Sequence, residues 1–130
     1  MDNKRLDTVI SEHCDSIEER SLGYLQYSYR GVLMLTITDE SHNRMRIVSP
    51  VALAKDVGTK LLTECMEANF DRALDARYAL SGDHLWSAFI HLLDELRETQ
   101  FVDGMNQVAT LAANYGATFT STDLLFGGGS

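Results

Sequence analysis

The stretch that decides the fold runs from Ser49 to Phe70 and reads SPVALAKDVGTKLLTECMEANF. It predicts one long central helix, with Ser49 as the N-cap and Pro50 in the first turn, where its missing N–H costs nothing. Asn69, near the far end, is a residue that tolerates the left-handed turn closing many helices. The apolar arc of this helix is roughly twice the ~100° stripe of a one-sided surface helix. We therefore expect the helix to bury two faces.

The two faces of the central helix have different expected partners. Val57, Leu61 and Cys65 share the face that we assign to the sheet of the same domain. Gly58, Leu62 and Met66 form a second ridge, and no other predicted element offers it an internal partner. A second subunit and the C-terminal residues from Phe119 onward are its two candidate occupants.

The residues before the central helix predict one helix and three strands. Residues 4–19 place apolar residues at helical spacing, which indicates an amphipathic helix. From Tyr24 the period changes to two, with apolar alternation over residues 24–30, 33–38 and 44–48. The turns between these segments are too short for a crossover, so the three strands are predicted to be antiparallel.

The residues after the central helix predict a hairpin and a last helix. Residues 74–80 and 85–91 form two strands around the turn Ser81-Gly82-Asp83. Thr99 is the expected N-cap of a helix from about Gln100 to Tyr115, with Gly116 as its stop. One side of this helix is polar but almost uncharged, which fits either a covered face or a merely polar exposed one. Its members are Asp103, Gln107, Thr110 and Asn114.

These elements predict an α+β domain, an antiparallel sheet of about five strands with helices packed on it, in the order α-β-β-β-α-β-β-α. The chain has 130 residues and is 45% hydrophobic, which suits one globular domain over residues 1–126. The segment Ala117–Phe126 is apolar enough that part of it should dock. Gly127–Ser130 reads as a flexible tail.

Charge and hydropathy narrow the possible partners and location. The formal net charge of -8 argues against nucleic acid, because affinity for phosphates comes from clustered cations. An acidic solvated surface is the simpler interpretation, and recruitment of basic peptide segments is the alternative. No apolar run approaches a membrane span and no signal-like segment opens the chain, so we expect a cytoplasmic protein.

Several local stretches, taken with the element order, resemble one known family over roughly residues 5–126. They are Arg44-Met45-Arg46-Ile47, Leu61-Leu62, Glu67-Ala68-Asn69-Phe70, Arg77-Tyr78-Ala79-Leu80, Gly82 before Leu85-Trp86, and Tyr115-Gly116. Together they look like the YbjN-like family, bacterial proteins described as sensory transduction regulators. That family is similar in fold to the type III secretion chaperones.

The resemblance implies function through surfaces rather than through chemistry. In the secretion chaperones the central helix often contributes to a dimer interface, and the sheet surface holds an extended client. Here the resemblance implies a homodimer through Gly58, Leu62 and Met66, and a possible polypeptide client. The quoted motifs are structural, and none of them is a catalytic signature.

Residues capable of catalysis or metal binding have simpler explanations. Acidic and histidine residues cluster only in turns, where polarity is expected: Asp39, Glu40 and His42 in one turn, Asp83 and His84 in another. Cys14 and Cys65 lie beside apolar residues and read as buried small hydrophobes rather than as a disulfide or nucleophiles. Asp94, Glu95 and Glu98 favour the N-terminus of the last helix. We predict no enzyme, no metal and no cofactor.

Aromatic side chains supply the other candidate surface. Tyr24, Tyr27, Tyr29, Trp86 and Phe89 lie on predicted strands and could form a peptide-binding face. Aromatic residues at strand spacing belong more often to a core, so an exposed subset is the useful expectation. The leading hypothesis is a non-enzymatic, homodimeric protein-binding or chaperone-like module. The alternative is a small enzyme or ligand-binding protein with a pocket between sheet and helices.

Overall fold

The computed structural model describes residues 1–71 and 73–115. The predictions made for Gly116, Ala117–Phe126 and Gly127–Ser130 lie outside these described residues. The elements, in chain order, are α1 Asn3–His13, β1 Ser16–Ser21, β2 Tyr24–Tyr29, β3 Val32–Asp39, β4 Arg44–Leu53, α2 Thr59–Asp71, β5 Arg77–Ser81, β6 His84–Leu92 and α3 Glu98–Asn114.

The strands form one antiparallel sheet, and this confirms the predicted α+β class. Its six strands lie in the order β1-β2-β3-β4-β6-β5, so the two hairpin regions join through β4 and β6. The prediction of about five strands missed β1. The residues assigned to the end of a first helix instead leave α1 at Cys14, whose N–H donates to the carbonyl of Ile10. Asp15 then donates its N–H to the carbonyl of Ser28, which starts the pairing of β1 with β2.

The prediction that Ser49 and Pro50 open the central helix is wrong. Both residues belong to β4, and α2 begins only at Thr59, after a short 3-10 turn over Ala54–Asp56. The pairing of β3 with β4 stops at Val48, so Pro50 has a paired strand on the β6 side only. The register of β4 also shifts between Pro50 and Ala52. Proline is tolerated at such edges and bulges, and Ser49 donates its hydroxyl to the carbonyl of Leu33 at 2.7 Å.

The core lies between one face of the sheet and the helices α1 and α3. Alternate residues of β2, β3, β4 and β6 are buried on this face, and α3 packs across β3 to β6. α1 contributes Leu6, Val9 and Ile10 to the same core. The buried polar groups are paired. Tyr27 and Thr36 share a hydrogen bond of 2.8 Å, and Ser87 donates to the carbonyl of Val108.

The packing of α3 on β6 depends on a glycine. A Cβ atom on Gly104 would lie 2.8 Å from ring atoms of Phe89, closer than real Cβ contacts occur. The side chain of Phe89 is itself only 6% exposed, so its ring has little room to move. Gly104 therefore sets how closely α3 approaches the sheet. α3 begins at Glu98, two residues before the predicted start at Gln100. Its N-cap is Arg97 rather than the predicted Thr99, and the Arg97 N–H donates to Gln100 Oε1 at 2.9 Å.

The two edges of the sheet are protected in different ways. β1 carries Glu18, Glu19 and Arg20 and has a register irregularity between Ile17 and Glu19. Arg20 is bound by Asp7 of α1, which lowers the pKa of that carboxyl and ties the edge strand to the helix layer. The opposite edge, β5, lies next to α2.

Candidate functional site

Helix α2 carries the most exposed apolar residues of the described helices. Only Cys65 and Ala68 of this helix are buried, whereas Leu61 and Leu62 are half-buried. Met66 is 48% exposed and Phe70 is 90% exposed. We call the row Gly58, Leu62, Met66 and Phe70 the α2 ridge. The sequence had indicated its first three members, and the structure adds Phe70, because α2 continues past Asn69 to Asp71.

Asn69 does not end the helix, as the sequence had suggested, but attaches it to the sheet. Its side chain donates to the carbonyl of Tyr78 at 2.9 Å and accepts the Tyr78 N–H at 2.8 Å. Both backbone groups belong to β5, the edge strand. This two-bond anchor holds α2 beside the sheet edge while burying little of the helix.

The second apolar surface is the sheet face opposite α1 and α3. No element of the described residues packs on it, so its side chains are half-buried or exposed. We call it the open sheet face, and its apolar members are Leu35, Ile37, Val48, Trp86, Ala88 and Ile90. Ile90 is 57% exposed. A shallow groove of about 270 Å³ runs over β4, β6 and β5 on this side, with Arg46 at its wall.

The aromatic residues singled out from the sequence do not form one surface. Tyr27, Tyr29 and Phe89 are at most 7% exposed and belong to the core under the helices. Tyr24 and Trp86 lie half-buried on the open sheet face. In the sequence this face was indicated by β6, because the residues of that strand are apolar on both sides. The residues of this face that sequence reasoning missed are Leu35, Ile37, Val48, Ala88 and Ile90.

The uncharged polar stripe of α3 is explained in part by contacts within the chain. Gln107 is 4% exposed, and its side-chain oxygen accepts the N–H groups of Asp75 and Ala76 at 2.8 and 3.0 Å. Its amide nitrogen donates to the carboxylates of Asp75 and Asp103. Thr110 is also buried, whereas Asp103 is exposed. Gln107 thus fixes the loop that leads from α2 into β5.

The acidic and histidine residues stay within their own turns. Hydrogen bonds from Ser41 and His42 lower the pKa of Asp39 to about 2, which is local turn stabilisation. Among residues 1–71 and 73–115 no group of three or more His, Cys, Asp or Glu is placed to hold a metal ion. Asp94 accepts a hydrogen bond from Asn43, and Glu98 pairs with Arg5.

The two cysteines lack the environment of a nucleophile. Both are free thiols; Cys65 is buried and Cys14 is half-buried. Burial raises the pKa of the Cys14 thiol and raises that of Cys65 to about 11. The thiolate, which is the reactive form, is therefore disfavoured at both positions near neutral pH. The prediction of cysteines acting as small hydrophobes agrees with these environments.

One larger cleft, of about 580 Å³, lies between the start of α1 and strands β1 to β3. Several of its polar groups already bind one another. Thr38 donates to Asn3 Oδ1 at 2.6 Å, and the Asn3 amide donates to Glu40 at 2.9 Å. These contacts engage the side chains of Asn3, Thr38 and Glu40 within the chain itself. Within the described part of the chain, no helix combines the length and apolarity needed to span a membrane.

Among the known structures with a similar fold are chains from three protein complexes, two of which are described as containing a chaperone. A chain of the HopA1–SchA chaperone–effector complex superposes with a TM-score of 0.63 at 11% identity, covering 85% of this chain and 88% of that chain. The Yersinia pestis type III secretion chaperone SycH, in complex with a stable fragment of YscM2, gives 0.63 at 16% identity, covering 87% and 98%. A chain of the ExsC–ExsE complex gives 0.62 at 13% identity, covering 86% and 92%.

These comparisons define the fold of the chain as that of the type III secretion chaperones. At such low identities the likeness concerns the fold alone. No protein-family model matches the chain, and no curated protein does.

Proposed function

We propose that this chain is a non-enzymatic, YbjN-like protein-binding module, chaperone-like or regulatory, that acts as a homodimer in a bacterial cytoplasm. The observation that carries the proposal is a pair of apolar surfaces that nothing in residues 1–71 and 73–115 covers, the α2 ridge and the open sheet face. Contiguous exposed apolar surface is typical of protein interaction sites. The fold likeness to chaperones solved in complex with polypeptides supports the same reading.

The α2 ridge is the proposed dimer interface. Its members recur every four residues, so they form a continuous stripe along one side of the helix. Two such stripes related by a twofold axis bury each other, because an isologous interface pairs the same patch on both subunits. Gly58 has no heavy atom within 4 Å of its Cβ position, which leaves space at the start of the ridge.

Oligomeric mass tests the dimer. Leu62→Glu and Met66→Glu place a carboxylate in the ridge, and each should shift the mass measured by light scattering from dimer towards monomer. Thr63→Glu is the matched control, because Thr63 is an exposed polar residue of the same helix. A monomeric wild type, or ridge variants with unchanged mass, would remove the dimer from the proposal.

The open sheet face is the proposed client surface. It offers apolar side chains on β3, β4 and β6, which an extended polypeptide can follow with its alternate side chains. Affinity capture from a bacterial lysate with the wild type should recover a polypeptide reproducibly. Ile37→Asp and Ile90→Asp should lose it, whereas Thr63→Glu should retain it. Recovery of no reproducible polypeptide would count against client binding.

A further inference from the structure

Arg46 occupies an unusual position on the open sheet face. It stands on β4 directly between Ile37 of β3 and Ile90 of β6, its cross-strand neighbours. Its side chain is exposed and, within the described residues, takes part in no hydrogen bond or ion pair. By contrast, Arg44 on the same strand donates to the carbonyls of His42 and Asn43. Arg46 is thus a charge held on an apolar surface without a partner.

The strands on the β6 side of Arg46 are basic although the chain is acidic, and the nearest acidic residue on the open sheet face is Asp39 of β3, opposite Arg44. Strands β4, β5 and β6 carry Arg44, Arg46 and Arg77 and contain no aspartate or glutamate. The whole chain has a formal charge of -8. Asp39 itself is bound by Ser41 and His42 of its own turn, so it does not pair with Arg46. Strands β4 to β6 thus differ in sign from the chain as a whole.

We infer that the open sheet face binds an extended polypeptide segment in which an aspartate or glutamate is flanked, two residues away on each side, by large apolar residues. This inference rests on the proposed client surface and specifies what that surface selects. In an extended segment, residues two apart point the same way. The central carboxylate then faces Arg46, while the flanking apolar side chains contact Ile37, Ile90 and the groove beside Trp86.

The surface selects an acidic segment because binding removes water from the Arg46 guanidinium. An entirely apolar segment would remove water from the guanidinium without replacing its hydrogen bonds, which is costly. A basic side chain would add like-charge repulsion. A carboxylate can accept two parallel N–H bonds from the guanidinium, the strongest geometry for this pair. Long-range repulsion by the acidic chain opposes an acidic segment, so a measured preference for one must come from this local contact.

Matched peptides and charge reversal test the inference. The probe is fluorescein-labelled Ser-Thr-Leu-Thr-Asp-Thr-Leu-Thr-Ser, and the control peptide has Lys in place of Asp. Fluorescence anisotropy should show the wild type preferring the Asp peptide by about tenfold or more, equivalent to about 1.4 kcal/mol. Arg46→Gln should abolish the preference, and Arg46→Glu should reverse it towards the Lys peptide. Arg44→Gln, on the same strand and face, should leave the preference in place.

Each other outcome overturns the inference and shows which part failed. Equal binding of both peptides, unaffected by Arg46→Gln, would leave client binding standing and reject the acidic selection. Binding of neither peptide would reject both. A change of oligomeric mass with Arg46→Glu would assign the surface to a second copy of the chain. Binding that appears only after deletion of residues 116–130 would assign it to that segment. Urea unfolding of the variants checks that folding is unchanged, as expected for an exposed residue.

Discussion

The side chain of Asn69 in α2 forms hydrogen bonds with both the N–H and the carbonyl of Tyr78. One helix residue thereby occupies both backbone groups of Tyr78 on the edge strand β5. The same tyrosine donates its hydroxyl to the carbonyl of Leu111 in α3 at 2.7 Å. Tyr78 thus joins α2, β5 and α3. The attachment of α2 is directional and polar, which explains how the helix keeps its place although no other described element packs on its apolar ridge.

Asn69→Ala should weaken this junction. Two partly buried backbone groups lose their partners, and each unsatisfied group costs about 1–3 kcal/mol before water compensates. We expect a net loss of about 2 kcal/mol in the free energy of unfolding, measured with urea, and faster amide hydrogen exchange at Tyr78. Thr63→Ala, at an exposed position of the same helix, is the control. Unchanged exchange at Tyr78 would mean that the anchor is not what holds the edge.

The stability of the fold should depend on the side-chain amide of Gln107. Gln107→Leu removes the acceptor of the Asp75 and Ala76 N–H groups, and we expect a loss of about 1–3 kcal/mol in stability. Gln107→Glu keeps an acceptor but places its charge beside the carboxylates of Asp75 and Asp103.

The pH dependence separates these two variants. Like charges raise the pKa of the introduced carboxyl in the folded state, so Gln107→Glu should recover towards wild type as the pH falls from about 7 to about 4. Gln107→Leu should show no such recovery. The measurement is the urea midpoint of both variants relative to wild type across this range. Parallel curves for the two variants would contradict the assigned contacts.

Gly104→Ala should destabilise the fold, although alanine is the better helix former. The gain in helix propensity is about 1 kcal/mol, whereas crowding a packed core costs about 1–3 kcal/mol. Because the buried Phe89 ring lies 2.8 Å from the new Cβ, we expect the cost to exceed the gain. In a Phe89→Leu background, Gly104→Ala should destabilise the fold less or should stabilise it. Equilibrium unfolding of the wild type, the two single variants and the double variant measures this coupling between the two positions. Equal effects in both backgrounds would rule out the clash.

Stability should fall at alkaline pH. Burial raises the pKa of Cys65 from 9.0 to about 11, so between these values the folded chain holds a proton that the unfolded chain has lost. The stabilisation is complete below pH 9 and is lost as the pH rises towards 11, by at most about 1.4 kcal/mol per unit. Burial also raises the pKa of Tyr27 and Tyr78, which adds the same trend above pH 10. In Cys65→Ala the urea midpoint should fall less between about pH 9 and 10 than it does in the wild type. An equal fall in both proteins would contradict this origin.

The sequence predicted the parts of the fold that local patterns determine. Period-two alternation with short polar turns located β2 to β6, because a register slip would expose a buried face. It also located α3 to within two residues at its start and one at its end. Leu62 and Met66 lie on α2 at the helical spacing that the sequence indicates, whereas Gly58 directly precedes the helix.

The errors arose where tertiary pairing overrides a local signal. Ser49-Pro50 resembles a helix start in isolation, and only the end of the β3 pairing at Val48 makes a proline acceptable inside β4. β1 has one apolar residue, Ile17, so no periodicity marked it as a strand. Of the open sheet face the sequence singled out only Tyr24 and Trp86, because an apolar strand face does not tell whether anything covers it.

The charged, irregular strand β1 limits how copies of this chain can meet. A strand that pairs with its free edge would lie beside the charged residues Glu18 and Glu19. The irregularity after Ile17 also breaks the even spacing of the backbone groups of β1. At the other edge Asn69 occupies the groups of Tyr78. Open-ended growth by strand addition, the route to fibrils, therefore finds no ready template at either end of the sheet. The exposed apolar surfaces of this domain are therefore faces, whereas its edges carry charge, a register irregularity and the Asn69 anchor.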